Sequence, residues 1–299
     1  MQCTLEAVTH TSKPDTLLGD DVIEAFESDG YVVVPGLLTS AELERYERVV
    51  TAAVKSRTVD DTVPLVEKSR YQQSFIQCMN LWEDFPEVRP LTFHPKVGQA
   101  AAELLRVPAV RLWHDQALYK QARGRETDAH QDHPYWPIRE TASVTAWIPF
   151  EGSTLASGAV GYLPGSHRIG MRRFVNIFFG EPEDILARPE IAGIAPRFVE
   201  VPAGSVAFHH GLTVHLAKPN ITDRDRAVHT VIYFPDGSVR GHPFPHFAVD
   251  RGHIEVGDKI ASDVTPIVWP RPAGDLPPVP AVPMMIGEGI TNRGAAPRT

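Results

Sequence analysis

The sequence predicts a mainly β protein, a sandwich or barrel of short strands, with helices from its N-terminal part packed on one sheet. Three observations predict this. From residue 109 onward, short β-rich runs recur between Gly, Pro, Asn and Asp: 109–121, 128–132, 143–150, 159–163, 197–201, 205–210, 213–217 and 226–235. Before residue 109, apolar residues recur at helical spacing instead. The chain has 299 residues, 42% of them hydrophobic, which is enough for one sizeable core; the length allows one or two domains, and all-β barrels of this size are often single.

In chain order, residues 1–19 read as an N-terminal arm. A helix is expected over 21–29, with Asp20 as N-cap, Val22, Ala25 and Phe26 as its apolar stripe, and Gly30 as its end. Tyr31 to Val34 is a β-branched run that Pro35-Gly36 turns. Thr39 caps a second helix, and Glu42 three residues on completes a capping box. Leu43, Tyr46, Val49, Val50 and Val54 form its stripe, and it ends near Arg57. A third helix, 95–106, carries Val97, Ala100, Ala101, Leu104 and Leu105. The organisation is one domain over 1–299: helical support at 20–108, a β core at 109–240, and a Pro-rich C-terminal extension at 241–299. Pro266, Pro270, Pro272, Pro277, Pro278, Pro280 and Pro283 predict that its tail is extended over the surface or disordered.

Composition narrows the function. The net charge is -8, and the densest basic stretch is only Arg168, Arg172 and Arg173, which reads as a solvated loop; no nucleic-acid partner is expected. Cys3 and Cys78 cannot make a disulfide framework or a Cys-rich metal site, and two lone thiols suit a reducing compartment. The N-terminus lacks an apolar signal-peptide core and no run approaches 18 apolar residues, so the expectation is a cytoplasmic protein without a membrane partner, a monomer or homodimer.

The chemistry centres on His130-Gln131-Asp132. In a strand, residues i and i+2 share a face, which would set an imidazole beside a carboxylate. By itself H-x-D is a weak signal in a chain with 13 histidines. His215, in a distant β-rich run, is the best third ligand. Two imidazoles and one carboxylate on one face of a metal form the facial triad of non-haem iron(II) oxygenases, with positions left for a chelating 2-oxo acid and for O2. Arg226 follows eleven residues later, across a turn-rich stretch that would begin a strand antiparallel to that of His215. Its planar fork suits the far carboxylate of a 2-oxo diacid; the alternative is a surface ion pair with Asp223 or Asp225. His209 and His210 read as spare polar lining. A zinc pair from His210 and His215 lacks a third ligand nearby.

These residues carry a resemblance. Phe26 to Leu38 (FESDGYVVVPGLL), Trp113 to Lys120 (WHDQALYK), His130 to Trp136 (HQDHPYW), Gly158 to Arg168 (GAVGYLPGSHR), and Gly204 through His215 to Arg226 run in the order of the phytanoyl-CoA dioxygenase family. The chain resembles that family, within the iron(II)/2-oxoglutarate oxygenases, over roughly residues 20–235. The resemblance implies a double-stranded β-helix (jelly-roll, cupin-like) with helices packed on one sheet. It implies His130, Asp132 and His215 as iron(II) ligands, Arg226 on the distal carboxylate of 2-oxoglutarate, and Lys120 and Trp147 on the cosubstrate pocket. Some relatives carry a hydroxyl residue two positions after the distal histidine; here it is Ala217, with Thr213 or Thr145 as substitutes. Asp132 stands where related halogenases have a small residue, which favours hydroxylation.

The implied activity hydroxylates a C–H bond while 2-oxoglutarate and O2 give succinate and CO2. No side-chain general base is assigned, so no catalytic residue lies beyond the metal centre. His133, Tyr135 and Trp136 are expected on one wall of the substrate pocket, with Phe75, Gln77 and Leu81 as a lid. No basic patch for the phosphates of a CoA thioester is evident, so a free, mostly apolar small molecule is the expected substrate. The alternatives are a cupin-type dioxygenase without 2-oxoglutarate and a non-catalytic small-molecule-binding protein.

Overall fold

The computed structural model describes residues 16–172, 175, 177, 184–272 and 274–284. Most of the predicted N-terminal arm and Arg173 lie outside the described residues.

Helix α1 (Asp20–Asp29) is capped by Gly19 rather than by the Asp20 side chain, and Gly30 ends it in the left-handed region (φ 80°). Ile23 and Phe26 are its buried residues, whereas Ala25 is exposed. The expected stripe was therefore one residue out of phase at Ala25. Strand β1 (Tyr31–Val34) leads to α2 (Ser40–Arg57), where the Thr39–Glu42 capping box forms in both directions. Short elements follow: α3 (Arg70–Ser74), β2 (Ile76–Met79), α4 (Leu81–Asp84) and α5 (Arg89–Thr92), then α6 (Pro95–Leu104).

The β core comprises β3 (Val110–Lys120), β4 (Thr127–His130), β5 (Val144–Pro149), β6 (Val160–Tyr162), β7 (Arg197–Phe198), β8 (Val206–His210), β9 (His215–Ala217) and β10 (Arg226–Pro235). A short helix α7 (Phe247–Asp250) and an edge strand β11 (Ile267–Trp269) close the chain. All strand pairs are antiparallel. The major sheet runs β1-β8-β5-β10-β3-β11, with β2 also on β3; the minor sheet runs β4-β9-β6-β7. The chain therefore alternates between sheets through β4, β5, β6, β8, β9 and β10. This is the double-stranded β-helix.

Alternation along the major sheet separates its faces. Val231 and Tyr233 of β10 join Ala117 and Tyr119 of β3 in the core shared with the helices, alongside Phe26, Val50, Val97 and Leu104. Arg226, Thr230 and Ile232 of β10 face the space between the two sheets. A register shift after Ile232 leaves Trp113 unpaired in β3. As with other bulges, this redirects the strand, so Trp113 packs with Trp136, Phe234 and the α7 region instead of with the helices.

The C-terminal extension is more than a surface tail. Pro266 and Pro270 flank β11 at the sheet edge, where a missing N–H costs no ladder bond. The Pro266 carbonyl accepts from the Leu112 N–H at 2.9 Å.

Candidate active site

A cavity of about 1050 Å3 lies between the sheets. His130 ends β4 and His215 begins β9, and the two are direct cross-strand partners. Asp132 differs from expectation. It lies beyond the strand, with helical backbone (φ -75°, ψ -43°), at the start of a 3-10 turn over His133–Tyr135. The turn brings Asp132 inward, so same-face strand alternation is not what joins it to His130.

The three side chains offer donor atoms within 4.8 Å of one another and could hold a metal ion. The Nε2 atoms of His130 and His215 each lie 3.6 Å from Asp132 Oδ1. Both rings are oriented from behind: Nδ1 of His130 donates to the Asp128 carbonyl at 2.8 Å, and Nδ1 of His215 to the Thr213 carbonyl at 3.0 Å. Each Nε2 is thereby left as a lone-pair donor, the form a metal requires. The second oxygen of Asp132 accepts from Thr145 Oγ1 at 3.0 Å and His209 Nε2 at 3.1 Å. Thr145 and His209 are themselves cross-strand partners on β5 and β8. Burial opposes charge on Asp132, but His215, His130 and His209 together hold its carboxyl well below the usual range. Burial, reinforced by His130, pushes His215 down to about 3. The donor set therefore suits a divalent metal at neutral pH.

Arg226 opens β10 and lines the same cavity. Its guanidinium lies 4.9 Å from the Trp147 ring centroid, and Nη1 donates to the Gly158 carbonyl at 2.6 Å. Nε is buried without a partner. Neither nearby acid serves it: Asp223 pairs with Arg123, and Asp225 accepts from the Ala122 N–H. Among the described residues Arg226 has no carboxylate partner, and burial pulls its pKa down to about 9. A buried cation without a counter-charge is costly unless a ligand supplies one. The site thus fits the carboxylate of a small acid. β10 does not pair with β9 as expected. It lies in the major sheet between β5 and β3, and residues 218–225 cross from one sheet to the other.

The sequence profile of phytanoyl-CoA dioxygenase (PhyH) matches residues 26–228. The chain belongs to the phytanoyl-CoA dioxygenase family. It is 28% identical over 153 residues to a phytanoyl-CoA dioxygenase of Arabidopsis thaliana, covering 49% of this chain and 52% of that protein. It is 30% identical over 156 residues to phytanoyl-CoA dioxygenase domain-containing protein 1 of Rattus norvegicus, covering 48% and 52%. These matches span about half the length of those relatives. Among solved structures, the non-heme alpha ketoglutarate dependent carbocyclase SnoK from nogalamycin biosynthesis superposes with a TM-score of 0.70 at 23% identity, covering 86% of this chain and 99% of that one. EctD from S. alaskensis, solved with 2-oxoglutarate and 5-hydroxyectoine, superposes at 0.59 with 18% identity, covering 77% and 81%. At such identities the likeness shows the fold.

Within the family region several expected residues lie elsewhere. Lys120 is Arg226's cross-strand partner but does not reach the cavity wall. Its amine donates to the carbonyls of Ser74 (3.0 Å) and Arg125 (2.6 Å) and meets Thr127 Oγ1 at 3.3 Å, so its polar contacts are all made away from the cavity. Burial and then Arg226 push its pKa down to about 6. Gly158 permits this packing: at φ +94°, a Cβ there would meet Lys120 Cδ at 2.6 Å. Thr213 is buried off the cavity, its hydroxyl donating to the Gly30 carbonyl at 2.7 Å. Thr145 is occupied by Asp132. The cavity hydroxyl beside Ala217 is instead Thr127, its cross-strand partner, which the sequence did not single out.

Tyr135, Trp136, Phe75 and Gln77 line the cavity; His133 and Leu81 do not. Residues i and i+3 eclipse in a 3-10 turn, so Asp132 and Tyr135 share a face and His133 turns into the wall, beside Ser143. Leu81 is fully buried in the helix-side core. His210 also lies off the cavity, whereas His209 is on it, engaged with Asp132. Part of the remaining wall comes from beyond the family match: His246, Phe247, Asp250, Arg251 and Val282. Arg251 ties this wall down through a bidentate pair with Glu83 (3.0 and 2.7 Å) and a bond to the Val282 carbonyl.

Proposed function

We propose that the chain is an iron(II)- and 2-oxoglutarate-dependent oxygenase that hydroxylates a C–H bond of a small organic molecule, releasing succinate and CO2. The observation that carries this reading is one cavity holding both a His–Asp–His donor set and a buried arginine with no anionic partner among the described residues. His130, Asp132 and His215 would hold the iron, which when bound supplies the oxidising power for decarboxylating the 2-oxo acid and oxidising the C–H bond. Arg226 would grip the distal carboxylate, with Trp147 against its guanidinium face and the Thr127 hydroxyl beside it. Thr145 and His209 would fix Asp132 as a ligand through its other oxygen. The apolar walls would exclude water from the reacting groups. Asp132 itself favours hydroxylation, because a small residue there would leave a metal position open. Among the described residues no helix is long and apolar enough to cross a membrane. Cys78 is a free, buried thiol, in keeping with the cytoplasmic placement we propose.

The test is succinate formation from 2-oxoglutarate under air, with iron(II) present or absent, in wild type and Asp132→Ala. Iron-dependent succinate that the substitution abolishes is expected. Tight iron binding with no succinate at any 2-oxoglutarate concentration, across a broad panel of small molecules, would overturn the reading.

A further inference from the structure

We propose that the outer part of the cavity selects an uncharged, oxygen-bearing ring compound, with Gln116 as the residue that orients it. This rests on the oxygenase reading of the inner site and adds the substrate class.

Charge is the first ground. Arg251 is committed to Glu83, each side chain 4% exposed. Asp250 is committed to Arg240 at 2.8 Å. Burial pushes His114 down to about 4 and His246 well below its ordinary value, so both imidazoles are neutral at pH 7. Apart from His253, exposed at the rim, no uncommitted ionisable group among the described residues of the outer wall faces this space. An anionic or cationic ligand would lose water here and gain no partner. Acyl-CoA, with its phosphates, is disfavoured for the same reason.

Shape and polarity are the second ground. Tyr71, Phe75, Tyr135, Trp136, His246 and Phe247 line the cavity with rings. His246 stacks on Trp113 at 4.6 Å and on Phe247 at 4.4 Å, which holds that wall rigid. Ring walls favour ring ligands by offset or edge contacts. One polar device interrupts them. The Tyr71 hydroxyl donates to the Gln77 carbonyl oxygen at 2.9 Å, and the Gln77 amide donates in turn to the Gln116 carbonyl oxygen. Both amide oxygens are thereby used. The Gln116 NH2 has no acceptor among the described residues, and Gln116 lines the cavity between Met79 and Thr230, its cross-strand partners. The site presents a donor, so it calls for a carbonyl, ether or hydroxyl oxygen on the ligand.

The experiment uses two charge-matched pairs, flavone with flavone-8-carboxylate and testosterone with testosterone sulfate, plus decanoyl-CoA. Each is titrated by isothermal calorimetry into protein loaded anaerobically with Mn(II) and 2-oxoglutarate. Loading is measured first in the same sample, so that failure to load counts against the oxygenase reading. The titrations are repeated on the unloaded protein, where the charge preference should persist. The neutral member of at least one pair should bind about tenfold or more tightly than its anion, and decanoyl-CoA should not bind. Gln116→Leu should weaken that neutral ligand by about three- to tenfold. Anions binding as tightly as their neutral partners, no binding by either neutral ketone, or an unchanged affinity in a folded Gln116→Leu would each overturn the proposal. The wild-type comparison stands even if the variant does not fold.

Discussion

At its inner end the cavity is crowded with charge and directed hydrogen bonds: His130, Asp132 and His215 converge, Thr145 and His209 clamp the second oxygen of Asp132, and Arg226 is buried without a counter-ion among the described residues. At its outer end the charges cancel within the wall, Arg251 against Glu83 and Arg240 against Asp250, and rings and the linked amides of Gln77 and Gln116 remain. The inner residues lie within the stretch shared with the family, 26–228, whereas much of the outer wall comes from residues 244–253 and Val282 beyond it. The difference separates two tasks. One end is set up to hold a metal and a small acid, and the other is free to vary with what is oxidised.

Substitutions at one end should leave the other intact. Asp132→Ala removes a ligand and leaves two imidazoles; metal binding and succinate release should both fall below detection, while a neutral ring ligand still binds the outer end by calorimetry. Arg251→Met strands the Glu83 carboxylate in the wall, which should cost about 3–5 kcal/mol of stability. In chemical denaturation the midpoint should drop, with Mn(II) affinity of the folded fraction unchanged. Arg226→Ala should weaken 2-oxoglutarate binding by about 2–5 kcal/mol and leave Mn(II) affinity alone, as read by titrating each separately. His209→Phe releases one of the two bonds on Asp132, and metal affinity should fall about 10- to 100-fold. His209→Gln, which can still donate, should restore most of it.

The far side of the same sheet provides a control. Burial pushes Asp115 up to about 7, above its unfolded value of about 3.9. Between those values the folded chain holds a proton that the unfolded chain has released. This contribution is therefore fully present on the acid side and is lost as pH rises through about 7. Asp115→Asn can still accept from Thr92 and Trp82. Its melting temperature relative to wild type should rise between pH 5 and pH 8, with no change in metal or 2-oxoglutarate affinity.

Much of the inner end was legible in the sequence because its residues are reactive types at short spacing, and the capping box at Thr39 fixed α2 equally well. What escaped depended on pairing across the sheets. Thr127 was invisible beside Ala217 because only the β4–β9 register makes them partners. Lys120 looked like a site residue, yet its amine is engaged by Ser74, Arg125 and Thr127. His133 was misplaced because the turn after Asp132 sends it into the wall beside Ser143, and Thr213 because its hydroxyl is bound to the Gly30 carbonyl, a contact between distant parts of the chain. The prolines after residue 265 suggested a tail extended over the surface or disordered; part of it is an extended edge strand, which tolerates them, and Val282 returns to the cavity.

The most direct test of the central claim is the visible absorption of the anaerobic protein on adding iron(II) and then 2-oxoglutarate. A metal-to-ligand charge-transfer band that needs both additions, disappears in Asp132→Ala, and in Arg226→Ala requires much more 2-oxoglutarate is predicted. Stoichiometric iron binding with no band at saturating 2-oxoglutarate would contradict the account.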